Sequence, residues 1–149
     1  MHKIFIDSDI ILDVLARRNQ FYNPAACLFT AIVRGRVAAF TTPVVFANTH
    51  YLLSKIKSKK IALQSIKRLR SYISVLSMDE QTVDLALNSL FSDFEDALQY
   101  YTAKSHGINF VITRNKKDFK LSEIYVCTAE EYLKILNASS KDNPQPPPV

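Results

Sequence analysis

The stretch Lys3-Ile4-Phe5-Ile6-Asp7-Ser8-Asp9-Ile10-Ile11-Leu12-Asp13 decides the fold. Ile4, Phe5 and Ile6 form a continuous apolar run, the pattern of a strand buried on both faces of a parallel sheet. The run stops at a carboxylate, Asp7, and a second carboxylate, Asp9, follows almost at once. A helical pattern then starts without a linker. Open α/β sheets bind their ligands at the carboxyl ends of the strands, so Asp7 is expected to anchor a metal site to which the rest of the chain brings further acids.

Working outward, Ile10–Arg17 reads as a helix capped by Asp9, with Ile11, Leu12, Val14 and Leu15 inward and Asp13 outward. A second helix spans Ala25–Arg34, with Cys27, Leu28, Ala31 and Ile32 on its apolar face and Gly35 as its stop. Val37–Thr41 is a strand, and Thr42-Pro43 opens a third helix that runs to Lys55. Lys59–Tyr72 is a fourth helix, with Ile61, Ile66 and Leu69 inward. The strand Ile73–Leu76 and the helix Asp79–Ser89 come next, then the helix Ser92–His106 with Gly107 as its stop. Asn109–Thr113 and Ile124–Cys127 are the last strands. Thr128 and Glu131 form a capping box that opens the final helix. Strands alternating with helices predict an α/β protein with a parallel sheet covered on both faces. Residues 1–137 are expected to form one domain and residues 138–149, rich in proline, a disordered tail.

The composition, 48% hydrophobic and 22% charged, excludes a disordered or fibrous chain. No apolar run approaches the roughly 18 residues of a membrane span, and the charged, strand-like start does not read as a signal peptide. No membrane association is therefore expected. Cys27 and Cys127 lack metal-type spacing and read as reduced core residues of a cytoplasmic protein. The net charge is +5, and its layout is uneven: residues 14–78 contain 11 Lys and Arg but no Asp or Glu. A basic surface beside a compact acidic site suits a polyanionic substrate handled through metal ions. The plain alternative for the run Lys55–Arg70 is a solvated helix face, which would still attract RNA at long range.

Two further stretches carry chemistry. In Asp93-Phe94-Glu95-Asp96-Ala97-Leu98, Asp93 and Asp96 share one helix face while Glu95 points elsewhere. Asp93 alone is explained as an acid at a helix N-terminus. Asp96 falls where the helix is expected to be buried, which favours a functional role. In Val111-Ile112-Thr113-Arg114-Asn115-Lys116-Lys117-Asp118-Phe119, a strand runs into a polar loop. There Arg114, Lys116 and Lys117 are candidate phosphate or RNA contacts, against the alternative of a solvated loop. Carboxylates converging on one point hold the Mg²⁺ or Mn²⁺ of a phosphodiester hydrolase, because hard cations prefer oxygen ligands.

These three stretches, in this order and spacing, resemble the PIN domain, specifically the VapC-like toxin group of small metal-dependent ribonucleases, over roughly residues 3 to 136. The resemblance implies a PIN-like three-layer α/β/α sandwich with a mostly parallel central sheet. It implies a Mg- or Mn-dependent endoribonuclease, the toxin of a type II toxin–antitoxin pair, with an RNA substrate, a small antitoxin as partner and a homodimeric state. By resemblance Asp7 and Asp96 would ligate the metal, Asp93 would lie at or just behind it, and Ser8 would support Asp7. Asp118 joins Asp7, Asp93 and Asp96 as a candidate catalytic acid.

The departures concern charge. Such domains usually carry Asn where this chain has Asp9. They usually carry acids where it has Asn48 and Asn115, both candidate neutral ligands beside Asp9. Fewer negative ligands weaken divalent-ion binding, so an alternative reading is a catalytically weak or inactive PIN-like module that binds RNA or protein. The pair Asp7-x-Asp9 also resembles the nucleophile motif of haloacid-dehalogenase-type phosphatases, although Ile10-Ile11 departs from what that family places behind it.

Overall fold

The computed structural model describes residues 1–119 and 122–141. In chain order the elements are β1 (Lys3–Ile6), α1 (Ser8–Leu15), α2 (Tyr22–Val33), β2 (Ala38–Thr41), α3 (Pro43–Ile56), α4 (Lys59–Arg70), β3 (Ser74–Val75), α5 (Glu80–Leu87), α6 (Phe94–Ser105), β4 (Phe110–Ile112), a 3₁₀ turn (Lys116–Phe119), β5 (Tyr125–Cys127) and α7 (Ala129–Lys141). The five strands form one parallel sheet in the order β3-β2-β1-β4-β5. Right-handed crossovers from β1 through β2 to β3 put α1–α4 on one face, and the return to β4 puts α5 and α6 on the other. Helix α7 packs on α2 and so joins the first layer. This is the expected three-layer α/β/α arrangement.

Strand β1 lies at the centre, with Ile4, Phe5 and Ile6 fully buried between β2 and β4. The chain leaves β1 for β2 on one side, while β4 reaches its other side from the far edge. The strand order therefore reverses between β1 and β4, and a crevice opens beyond their carboxyl ends. Asp7 and Thr113 stand at this crevice, directly after β1 and β4.

Several local signals act as expected. Thr128 Oγ1 accepts from the Glu131 amide at 3.2 Å, and Glu131 returns a bond to the Thr128 amide at 3.1 Å. Gly107 follows α6 with φ +67°, a left-handed turn that glycine adopts without strain. No helix among the described residues is long and apolar enough to cross a membrane.

Four expectations are corrected. Asp13 is buried, because Arg114 reaches it from the loop after β4. Helix α1 begins at Ser8 with Asp7 before it as cap, so Asp9 lies inside the first turn. Cys27 is exposed on α2, where Ala25, Leu28 and Ile32 form the buried stripe and position 27 falls outside it. On α4 it is Ala62 and Leu69 that are buried, while Ile61, one residue off that stripe, is 43% exposed. Helix α7 continues to Lys141, past the point where the sequence turns polar, and the proline-rich segment expected as a tail lies outside the described residues.

Candidate metal centre

Asp7 sits where β1 ends and α1 begins. One carboxylate oxygen caps the helix, accepting from the Ser8 amide at 2.7 Å, and the other accepts from Thr113 Oγ1 at 3.0 Å. Two hydrogen bonds thus hold its orientation, yet no cation of the described residues pairs with it. Burial pushes its carboxyl up to about 7, aided by the charges of Asp9 and Glu95 and opposed by the bonds from Ser8 and Thr113.

Asp9 has a different task. Its Oδ1 accepts from the Ile10 amide at 2.7 Å, and its Oδ2 accepts from the Arg114 amide at 2.9 Å. It ties the first turn of α1 to the end of β4 across the crevice. Burial raises its carboxyl, and the Arg114 amide and charge oppose that. Both oxygens are engaged by backbone donors, which leaves Asp9 less available to an ion than Asp7.

Helix α6 brings the second set of acids. Asp93 caps it, accepting from the Asp96 amide at 2.9 Å. The Asp96 side chain is pushed up to about 7 by burial, then by the charges of Asp7, Asp93, Asp118 and Glu95. Asp96 therefore stands electrostatically among the acids from three separate segments. Glu95 does not point away from this group as its place in the sequence suggests. It leans toward α3, accepting from Asn48 Nδ2 and from Gln99 Nε2, the latter at 3.3 Å. Asn115 donates through Nδ2 to Asp118 in the 3₁₀ turn. The two asparagines thus each hold a carboxylate.

The basic candidates divide. Arg114 turns its guanidinium inward, forking onto Asp13 at 2.9 and 3.1 Å, and stacks 3.9 Å over the Phe21 ring. Lys116 pairs with Glu131 at 2.8 Å on the surface. Lys117 is exposed and makes no ion pair among the described residues. Glu95 is one of the candidate acids of the second stretch, and only its direction differs from the one its spacing suggests. Its signals are the Glu95–Gln99 spacing, one helical turn, and the absence of any acid from 14 to 78 that could itself stand on α3.

The gathered donors are carboxylate and amide oxygens, the set preferred by Mg²⁺ and Mn²⁺. Among the described residues no three Asp, Glu, His or Cys side chains close into a ready-made cage. Mg²⁺ keeps several waters and is commonly held by one or two carboxylates. Asp7, buried, and Asp96, half-buried, stand beside other acids and pair with no described base, which fits that requirement.

Known proteins give the same picture. Ribonuclease VapC1 of Aquifex aeolicus (strain VF5) is 28% identical over 135 residues, covering 87% of this chain and 92% of that protein. The DNA-bound VapBC structure from Salmonella typhimurium matches with a TM-score of 0.64 at 16% identity, covering 87% of this chain and 99% of that one. The structure of VapC20 from Mycobacterium tuberculosis, a sarcin–ricin-loop-cleaving toxin, matches with a TM-score of 0.61 at 17% identity, covering 72% and 86%. At these identities the two structures attest the fold. The PIN domain family model matches residues 3–117, most of the chain and the acids of the crevice except Asp118. A parallel sheet reversing at β1, acids from three segments gathered at that reversal, and this match together make the chain a member of the PIN domain family.

Proposed function

We propose that this chain is a divalent-metal-dependent endoribonuclease that hydrolyses RNA phosphodiester bonds, and that it is the toxin of a type II toxin–antitoxin pair. The observation that carries the reading is the placing of buried Asp7 and half-buried Asp96 within each other's field at the topological switch point, with no described base pairing with either. The sequence relative named as a ribonuclease and the structural neighbours described as toxin–antitoxin complexes support it. A small antitoxin is the expected partner, and a homodimer the expected assembly.

Asp7 and Asp96 would hold the ion. A bound Mg²⁺ or Mn²⁺ supplies a Lewis acid that polarises the phosphate and lowers the pKa of a bound water. Thr113 and Ser8 fix the Asp7 carboxylate, so its direction does not depend on the substrate. Asp93 fixes the start of α6, from which Asp96 projects. Asp118, held by Asn115, adds negative charge at the opposite rim. Asp9 braces the crevice, and the neutral amides of Asn48 and Asn115 act on neighbouring acids. Lys117 and the basic run Lys55–Arg70, most of it on α4, would draw the RNA backbone in. The PIN domain match over residues 3–117 argues against the phosphatase reading of Asp7-x-Asp9, whose second acid here accepts from the Ile10 and Arg114 amides.

The second reading, an RNA- or protein-binding module without catalysis, is favoured by the lack of a closed three-acid cage. Incubating the purified protein with single-stranded and tRNA-like RNA separates the two. Cleavage is expected with Mg²⁺ or Mn²⁺, to stop with EDTA, and to be lost in Asp96→Asn. Cutting that survives in Asp96→Asn overturns the site, and RNA binding without cutting supports the second reading.

A further inference from the structure

Arg114 works on two sides of the end of β4. Its backbone amide donates to Asp9 Oδ2 at 2.9 Å, which places it on the rim of the acidic crevice. Its side chain helps to line a separate cavity of about 330 Å³, within the range of about 300–1,000 Å³ of small-molecule sites. The other walls are Phe21 and Pro24, around the start of α2, and Thr128, Ala129 and Glu130, at the start of α7.

Each wall supplies something different. Arg114 gives a planar cation that lies 3.9 Å over the Phe21 ring, with Nε and Nη2 donating to Asp13 at 2.9 and 3.1 Å. Asp13 answers its charge and fixes its plane, yet the side chain stays 28% exposed. The ion pair therefore accounts for the charge of Arg114 and not for the open space beside it. Helix α7 gives a polar edge. The amides of Ala129 and Glu130 lie in its first turn, where no carbonyl of the helix reaches them. Exposed Glu130 adds a carboxylate, which pairs only loosely with Lys134, at 3.8 Å. An aromatic ring and a guanidinium plane beside a row of hydrogen-bonding groups is how proteins hold an unpaired base. A phosphate fits less well, because Asp13 already neutralises Arg114 and Glu130 repels anions. An apolar peptide side chain would use the stack and leave the α7 edge without a partner.

We propose that this cavity binds one unpaired nucleobase of the RNA, stacked against the Phe21–Arg114 pair and held along its edge by the first turn of α7. This rests on RNA as the substrate, as read above, and is tested apart from cleavage. Ile10, which lines the cavity, follows Asp9 in the chain, and Thr113, which bonds Asp7, precedes Arg114. A base held here thus keeps its strand beside the acidic crevice. Arg114 meets the RNA with its face, not with its charge.

The test uses the full chain in EDTA, so that no cleavage occurs, and a short single-stranded RNA carrying 5-iodouridine. Ultraviolet crosslinking, mapped by mass spectrometry, is expected to join the RNA to Phe21 or to the first turn of α7. Fluorescence anisotropy then compares the parent with Phe21→Leu, which keeps an apolar side chain, and with Glu130→Ala. Phe21→Leu is expected to weaken binding about tenfold, with the salt dependence unchanged because no phosphate contact is lost. Glu130→Ala is expected to weaken it about threefold through one lost hydrogen bond, whereas charge alone predicts tighter binding. Crosslinks confined to the exposed Tyr51 and Tyr72 overturn the proposal, as does parental affinity in Phe21→Leu. If Phe21→Leu does not fold, judged by circular dichroism, equal or tighter binding by Glu130→Ala overturns it instead. Cleavage by the parent with Mg²⁺, run in parallel, keeps the two readings apart. Cleavage without a crosslink at the cavity overturns this proposal alone, and a crosslink there without cleavage supports the base site and overturns the enzyme reading.

Discussion

Two buried carboxylates stand at the two ends of α1. Asp7, before its first residue, is 7% exposed, and Asp13, in its last turn, is 1% exposed. Asp13 has the Arg114 fork on both oxygens and Arg18 at 3.8 Å. Asp7 has a hydroxyl, a backbone amide and, across the crevice, more acids. Taking a charge out of water is unfavourable unless a partner of opposite sign is built in. At Asp13 the fold supplies that partner, so the acid is structural. At Asp7 it supplies none, and burial pushes the carboxyl up to about 7. One helix thus carries both kinds of buried acid, and the neighbours alone tell them apart.

The largest effects should separate the two ends by kind. Asp96→Asn, which strikes the unpaired set, is expected to lower RNA cleavage about 10³-fold, roughly 4 kcal/mol of barrier, with circular dichroism unchanged. Asp13→Asn should do the reverse. Breaking a buried ion pair leaves Arg114 uncompensated and costs about 3 kcal/mol of stability, read as a lower urea midpoint, with Mn²⁺ affinity of the folded protein kept. Replacing both partners together, Asp13→Leu with Arg114→Met, is expected to recover much of that loss. The comparison breaks if Asp13→Asn leaves the midpoint unchanged.

A smaller effect concerns pH. The carboxyls of Asp7 and Asp96 lie near 7 in the folded protein and near the ordinary 3.8 when unfolded. Between those values the folded state binds more protons than the unfolded one. The metal-free protein should therefore be most stable at the acidic end of this window and lose stability as pH rises through about 7. Saturating Mn²⁺ should offset the loss by binding only the folded form, and Asp7→Asn should flatten the dependence. A melting temperature that does not fall between about pH 5 and pH 8 without metal would contradict the assignment.

The smallest effects lie on the surface. Lys116→Ala removes an exposed pair with Glu131 and should leave stability almost unchanged. Lys117→Ala, with no described pair to lose, should leave stability unchanged and weaken RNA binding more than Lys116→Ala does. Filter binding at rising salt checks this, because phosphate contacts fade as salt increases.

Much of the site was legible in the order of residues. The apolar run into Asp7, the Thr128–Glu131 capping box and the glycine stops are local features, and each formed where its pattern placed it. Asp96 could be singled out because it interrupts a buried helix. The misread residues share one property. Asp13 looked solvent-facing because its partner Arg114 lies 101 residues further on. Glu95 looked outward because its partner Asn48 lies 47 residues back on another helix. Arg114 looked like a phosphate contact because both its buried acid and its aromatic neighbour, Phe21, are distant in sequence.

The sequence by itself thus determined the alternation of strands and helices and the burial of β1 on both faces, with Asp7 at its end. These follow from hydrophobic periodicity and from capping, which act over a few residues. Only the tertiary structure decided which acids acquired a base and which did not. A charge has no fixed meaning along the chain, and its role is set by whatever the fold brings within a few ångströms of it. Thr113 reaches Asp7 from 106 residues away, and Arg114 comes from the same loop to Asp13. That loop neutralises the far end of α1 and gives the near end a hydroxyl but no base.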